Sequence, residues 1–189
     1  MQVDLSLFSW LERFLNAGAG PSIQYDWRLS YKLLRSLHEK YHLALDVGCG
    51  DGRKTAYHKQ LADSVLGVDL DKDRLVLARA RGIFVLRADA SKLPFREDTF
   101  DVVMSFQVLE HLHTPSTFLD QVHRVLKRGG HGVIVTPNRN RLTAVLYRLL
   151  LRPKVMWPMN PEHVFEYSLV DLENLLARSD FWYWRVFPI

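Results

Sequence analysis

The rhythm of apolar and polar residues along this chain changes near residue 43. Before that point Leu7, Phe8, Leu11, Phe14 and Leu15 recur at helical spacing and predict an amphipathic helix. The run Asn16-Ala17-Gly18-Ala19-Gly20-Pro21-Ser22 ends it, because glycine and proline break helices. A second helical stripe carries Trp27, Tyr31, Leu34 and Tyr41. From residue 43 onward, short β-rich runs alternate with helical ones. Leu43–Val47, Ser64–Asp69, Ile83–Arg87, Phe100–Phe106, Gly132–Thr136 and Phe181–Phe187 read as strands, and residues 53–62, 71–80, 116–127 and 168–178 as helices. Strand alternating with helix predicts a doubly wound α/β fold, a mostly parallel sheet covered on both faces. The expected organisation is an N-terminal helical extension over 1–42 and one α/β domain over 43–189.

Composition narrows the class without naming it. The 189 residues are 48% hydrophobic and 24% charged, as in an ordinary folded domain rather than a disordered chain. Lys and Arg number 25 against 21 Asp and Glu, a net charge of +4 that is too weak to argue for a nucleic-acid binder. The single cysteine, Cys49, excludes an internal disulfide and a cysteine-rich zinc site. No stretch reaches the length of a membrane span, and Asp4, Glu12 and Arg13 interrupt any apolar leader. A cytoplasmic protein is expected, with contact at a membrane surface left open.

In parallel sheets ligands bind at the carboxyl ends of the strands, where strand order reverses. The first predicted strand ends in Asp46-Val47-Gly48-Cys49-Gly50-Asp51-Gly52, and the second ends in Asp69, 17 positions after Gly52. Glycines admit a tight turn and close approach of a ligand, and a following acid can accept from both hydroxyls of a ribose. A nucleoside-containing cofactor is implied. The dinucleotide pattern needs a third glycine at position 53, where this chain has Arg53. A nucleotide-dependent oxidoreductase is therefore disfavoured. Simpler readings exist: the glycines as plain turns, Asp69 as a helix N-cap, Cys49 as a small filler or a reactive thiol, and Gly129-Gly130 as a helix C-cap.

Gly-x-Gly-x-Gly behind Asp46 resembles the first motif of class I S-adenosylmethionine-dependent methyltransferases, whose fold is Rossmann-like. The resemblance continues through Gly67-Val68-Asp69-Leu70, Arg87-Ala88-Asp89-Ala90, Phe100-Asp101-Val102-Val103-Met104-Ser105-Phe106 and Arg124–Gly130, in order over about residues 43–136. It implies S-adenosylmethionine, or S-adenosylhomocysteine as product, held by Asp46, Gly48, Cys49, Gly50, Gly52, Asp69, Leu70, Asp89 and Ala90. Carbonyls of Ser105 and Phe106 would hold the cofactor's ammonium group. The family's domain also implies a seventh strand, and this chain is expected to carry it incompletely.

Motifs absent from the chain narrow the acceptor. Ser105-Phe106-Gln107-Val108 stands where enzymes methylating amino groups of bases or glutamine carry Asn-Pro-Pro-Tyr. No second cysteine exists for cytosine C5 chemistry, and no Asp follows Met104 for a catechol-type magnesium site. A small, apolar or amphipathic acceptor is expected, and no nucleic-acid partner. Two histidines are candidate catalytic residues: His111 in Glu110-His111-Leu112-His113, and His163 in Pro161-Glu162-His163. Each also admits a bland reading, as substrate positioner or backbone-bonded helix entry. Adjacent Glu110 and His111 are only two ligands, so no metal is expected.

Residues 137–160 read as an insertion forming a helical lid. Leu142, Val145, Leu146, Leu149 and Leu150 make an apolar face beside Arg141, Arg148 and Arg152. Segment 139–154 suits either a packed lid or peripheral membrane contact. Methyl transfer is the first hypothesis; a non-catalytic cofactor-binding or interaction module with the same fold is the second.

Overall fold

The computed structural model describes residues 27–138 and 162–186. The elements within these are α1 (Trp27–Leu37), β1 (Tyr41–Val47), α2 (Arg53–His58), β2 (Ala62–Asp69), α3 (Lys72–Ala80), β3 (Phe84–Arg87), β4 (Phe100–Phe106), α4 (Pro115–Val125), β5 (Leu126–Val135) and α5 (Leu169–Leu176). The strands form a parallel sheet in the order β3-β2-β1-β4-β5. The chain winds outward from β1 through β2 to β3, then returns to lay β4 on the other side of β1. That reversal puts the switch point between the carboxyl ends of β1 and β4, the place where sheets of this kind bind ligands.

Both faces of the central strands β1 and β4 are buried along most of their length, and the period of two assigns side chains to them. Leu45, Val47, Val68 and Val103 meet Phe118, Leu119, Val122 and Val125 of α4 on one face. Ala44, Val65, Val102, Met104 and Phe106 meet Leu34 of α1 and Leu61 on the other. Local chemistry places the helix starts. Asp71 caps α3 by accepting from the backbone N–H of Asp73 and Arg74, and Ser168 with Asp171 forms a capping box at α5. Arg124 on α4 donates to the carbonyls of Leu93 (2.8 Å) and Phe95 (2.6 Å), which pins the long β3–β4 connection to the sheet.

The predicted doubly wound α/β fold is present, with three local corrections. Tyr41 belongs to β1, paired with Ala62, and not to the preceding helix, which ends at Leu37. Gly129 and Gly130 lie inside β5 and are no helix cap. Two steps along β4, from Phe100 to Val102, correspond to five along β5, from Leu126 to His131. Gly129, at φ 77°, supplies the backbone turn that absorbs the excess. Residues 181–186 of the predicted strand Phe181–Phe187 are not in a strand. Phe181 instead sets its ring at 90° to His123 of α4, 5.3 Å between centroids, and packs on the core. The N-terminal helix over Leu7–Leu15 and the 139–154 helix, with Arg141, Arg148 and Arg152, lie outside the described residues.

Phe118 is fully buried at the centre of the larger core. Phe118→Ala is expected to lower the unfolding free energy by about 3–5 kcal/mol. Urea denaturation followed by circular dichroism measures it, with an unchanged slope if the unfolded state is unaltered.

Candidate active site

Three chain segments meet at the carboxyl edge of the sheet. The first is the loop after β1. Gly48 adopts φ 75°, and a Cβ there would lie 2.1 Å from Cγ2 of Val108, in the loop after β4. The glycine is thus what lets the two loops bordering the switch point close on each other. The loop's backbone donors are turned inward. Gly48 and Cys49 both donate to the carbonyl of Val68, and Gly52 donates to that of Cys49. Gly50 donates to the Asp69 carboxylate at 2.8 Å. The loop therefore offers a ligand close approach more than free N–H groups.

Asp69 ends β2 and is not a helix cap, since Asp71 fills that position. Its other oxygen accepts from the Asp71 N–H at 2.9 Å. Each oxygen retains a further lone pair, so two hydroxyls can still be received. Cys49 packs its side chain against β2, where a Cβ on Gly67 would fall 2.7 Å from its Sγ. Burial pushes its thiol pKa up, so it is a packing element and no reactive thiolate. Leu70 is exposed at the rim, and its carbonyl accepts from Arg87 Nε at 2.9 Å. Asp89 accepts from both the N–H and the hydroxyl of Ser91, which fixes the turn carrying Ala90.

Beneath the loop Asp46 is 1% exposed. One carboxylate oxygen accepts from Thr55 Oγ1 at 2.6 Å, while the other has no hydrogen-bond partner. Burial pushes its pKa up to about 7, against the lowering effects of Thr55 and Lys54. On β4, Ser105 is fully buried with its hydroxyl unpartnered. The Phe106 ring packs on His58, 5.0 Å between centroids, within the core on the α1 side of the sheet. Gln107 follows with φ 63°, a strained value for a side-chain-bearing residue, and its Nε2 is unpartnered.

The third segment brings the candidate histidines together. The Glu110 carbonyl accepts from the backbone N–H of Val164 (2.8 Å) and Phe165 (3.1 Å), docking the 162–166 segment on the turn after β4. The rings of His111 and His163 lie 5.0 Å apart, edge to face. His111 donates through Nδ1 to the Glu162 carbonyl at 2.9 Å. His163 Nδ1 meets the Glu166 carboxylate at 2.9 Å, with side chains 8% and 1% exposed. Glu110 is fully buried, accepts from Thr136 Oγ1 at 3.0 Å through Oε2, and has no partner for Oε1. Burial raises its pKa. A cavity of about 170 Å³ runs along β5 from Gly132 to Thr136, walled by Leu109 and by Leu172, Leu175 and Leu176 of α5; it touches the cluster through Thr136, the partner of Glu110.

The comparisons with known proteins agree with this geometry. Residues 45–134 match the family described as a methyltransferase domain. A probable S-adenosylmethionine-dependent methyltransferase of Mycolicibacterium smegmatis is 32% identical over 139 residues, covering 72% of this chain and 51% of that protein. A ubiquinone biosynthesis O-methyltransferase of Ruegeria pomeroyi is 27% identical over 164 residues, covering 75% of this chain and 66% of that one. A tRNA (carboxymethyluridine(34)-5-O)-methyltransferase of Xenopus tropicalis is 33% identical over 98 residues, covering 50% of this chain and 15% of that one. Among solved structures, an S-adenosylmethionine-dependent methyltransferase of Mesorhizobium loti superposes with a TM-score of 0.57 at 26% identity, covering 79% of each chain. Residues 45–134 are thus a methyltransferase domain, similar to those of S-adenosylmethionine-dependent enzymes. The chain spans about half the length of the first of these relatives.

The residues present fit that cofactor. A ligand bearing a sulfonium and an ammonium group would meet there an unpartnered buried carboxylate oxygen on Asp46, beside glycines that leave no room for a side chain. Thr55, Thr136, Gln107 and Glu166, which contact or neighbour the candidate residues, were not singled out by the sequence. Only Glu166 carried a legible signal, three positions after His163 and able to bond it within one turn.

The native state holds the Asp46 proton more tightly than the unfolded chain does. Raising the pH from the ordinary carboxylate range to about 7 therefore removes stability, and above that the loss is complete. Asp46→Asn is expected to melt higher relative to the wild type at pH above that value than at mildly acidic pH. Thermal melts across that range measure the difference.

Proposed function

We propose that this chain transfers the methyl group of S-adenosylmethionine to a hydroxyl oxygen of a small apolar or amphipathic acceptor. The observation that carries the reading is the cluster of Glu110, His111 and His163 at the carboxyl end of β4, on the same sheet edge as the glycine loop. The cofactor supplies an activated methyl group on sulfur. Asp69 receives the ribose hydroxyls on its remaining lone pairs, and Gly48, Cys49, Gly50 and Gly52 admit the ligand against the backbone. Asp46 faces its cationic end with the carbonyls of Ser105 and Phe106. Leu70, Asp89 and Ala90 border the base.

The acceptor side follows from the second half of the site. His111 and His163 each engage a fixed acceptor through Nδ1, so the rings are held in one orientation before any substrate arrives. The Nε2 of His111 and the Oε1 of Glu110 can accept a hydrogen bond, which suits a hydroxyl whose oxygen attacks carbon. The leucine-walled cavity suits an apolar body on that hydroxyl. The Ruegeria relative, a ubiquinone biosynthesis O-methyltransferase, supports an oxygen acceptor on such a body. The 137–160 segment, as a lid, would exclude water from the reacting carbon.

The test is transfer of labelled methyl from S-adenosylmethionine to a panel of long-chain phenols, with bulk tRNA as the opposing arm. Label on a phenol, lost by about 100-fold or more in His163→Gln with S-adenosylhomocysteine affinity unchanged, is the expected result. Label on tRNA alone overturns the acceptor class, and no transfer to either with intact cofactor binding favours a non-catalytic module.

A further inference from the structure

Glu110, His111 and His163 each offer one ligand atom, and the three atoms lie within 4.8 Å of one another. Their surroundings match what metal ligands need. The His111 Nδ1 can only donate to the Glu162 carbonyl, which leaves Nε2 with the lone pair in the neutral ring. The Glu166 carboxylate, 1% exposed, holds His163 in the same tautomer. A carboxylate or carbonyl behind each ligating imidazole is the arrangement that orients the ring and raises its basicity toward a cation. Glu110 completes the set from a fully buried position, with Oε2 fixed by Thr136 and Oε1 without a partner.

We propose that these three side chains form a binding site for one divalent first-row transition cation such as zinc. Two imidazoles and one carboxylate select borderline cations over magnesium or calcium, which favour oxygen ligands. Three protein ligands leave coordination positions open. Resting on the methyl-transfer reading, the open position takes the acceptor's hydroxyl oxygen, and the imidazoles then serve as ligands and not as bases. Binding of the cation itself does not depend on that reading. Two of the ligands come from the turn after β4 and one from the segment docked on it, so the cation also ties residues 162–166 to the sheet edge.

The experiment is equilibrium dialysis of chelator-stripped protein against micromolar zinc, and separately against millimolar magnesium, with metal counted by mass spectrometry. S-adenosylhomocysteine affinity is measured on the same samples. The wild type is expected to retain about one zinc per chain and no magnesium, and Glu110→Gln and His111→Ala each to weaken retention by at least about 10-fold. His111 is exposed, so its loss leaves the fold intact, which circular dichroism checks. His42→Ala, at the exposed pair with Asp63, should change nothing. Absence of zinc, retention of magnesium instead, or zinc that survives both ligand variants overturns the site. Loss of cofactor affinity in the wild type would instead overturn the methyl-transfer reading, whatever the metal count.

Discussion

The hydrogen bond from the Gly50 N–H to the Asp69 carboxylate is the contact on which the cofactor half of the site depends. It joins the loop after β1 to the end of β2 by a charge-assisted bond in a partly buried place. The Gly48 and Cys49 N–H groups add two more ties, both to Val68. The loop is thereby tied to β2 at three points. Asp69 builds the cradle, and in the proposed function it also presents the acceptor to what enters. A parallel sheet makes this possible, because adjacent strands deliver their carboxyl ends to one edge.

The other half of the site is assembled by backbone rather than by side chains. The Glu110 carbonyl takes two N–H groups from a segment more than fifty residues later, and this brings His163 beside His111. Glu110 thus contributes through both its backbone and its buried carboxylate. Coupling of this kind makes the acceptor side sensitive to the geometry of the turn after β4. The strained Gln107, at φ 63°, and its bond from N–H to the Val135 carbonyl belong to the same turn.

Much of this was legible beforehand, and for definite reasons. The strands announce themselves through alternation and through glycine or acid at their carboxyl ends, as at Asp46–Gly52 and Gly67–Asp69. The glycine spacing also separated the family from dinucleotide binders, since Arg53 stands where a third glycine would. What could not be read were relations between distant segments. Nothing local says that Val164 and Phe165 donate to Glu110, so the His111–His163 pairing and the third ligand position emerge only from the fold. The error at Gly129-Gly130 has a similar origin. A glycine pair after a helical run reads as a cap, while the register excess of β5 over β4 is a property of two strands together. Tyr41 was misassigned because an aromatic residue fits a helix stripe as well as a strand, and its pairing with Ala62 decided the matter.

The central claim is that the cofactor sits at the carboxyl edge of β1 and β2 with Asp69 as its charged acceptor. Calorimetric titration of S-adenosylhomocysteine into the wild type and Asp69→Ala tests it most directly. The account predicts a single site whose affinity falls about 10- to 100-fold in the variant, as loss of a charged hydrogen-bond acceptor requires. Equal affinities in the two proteins would contradict it.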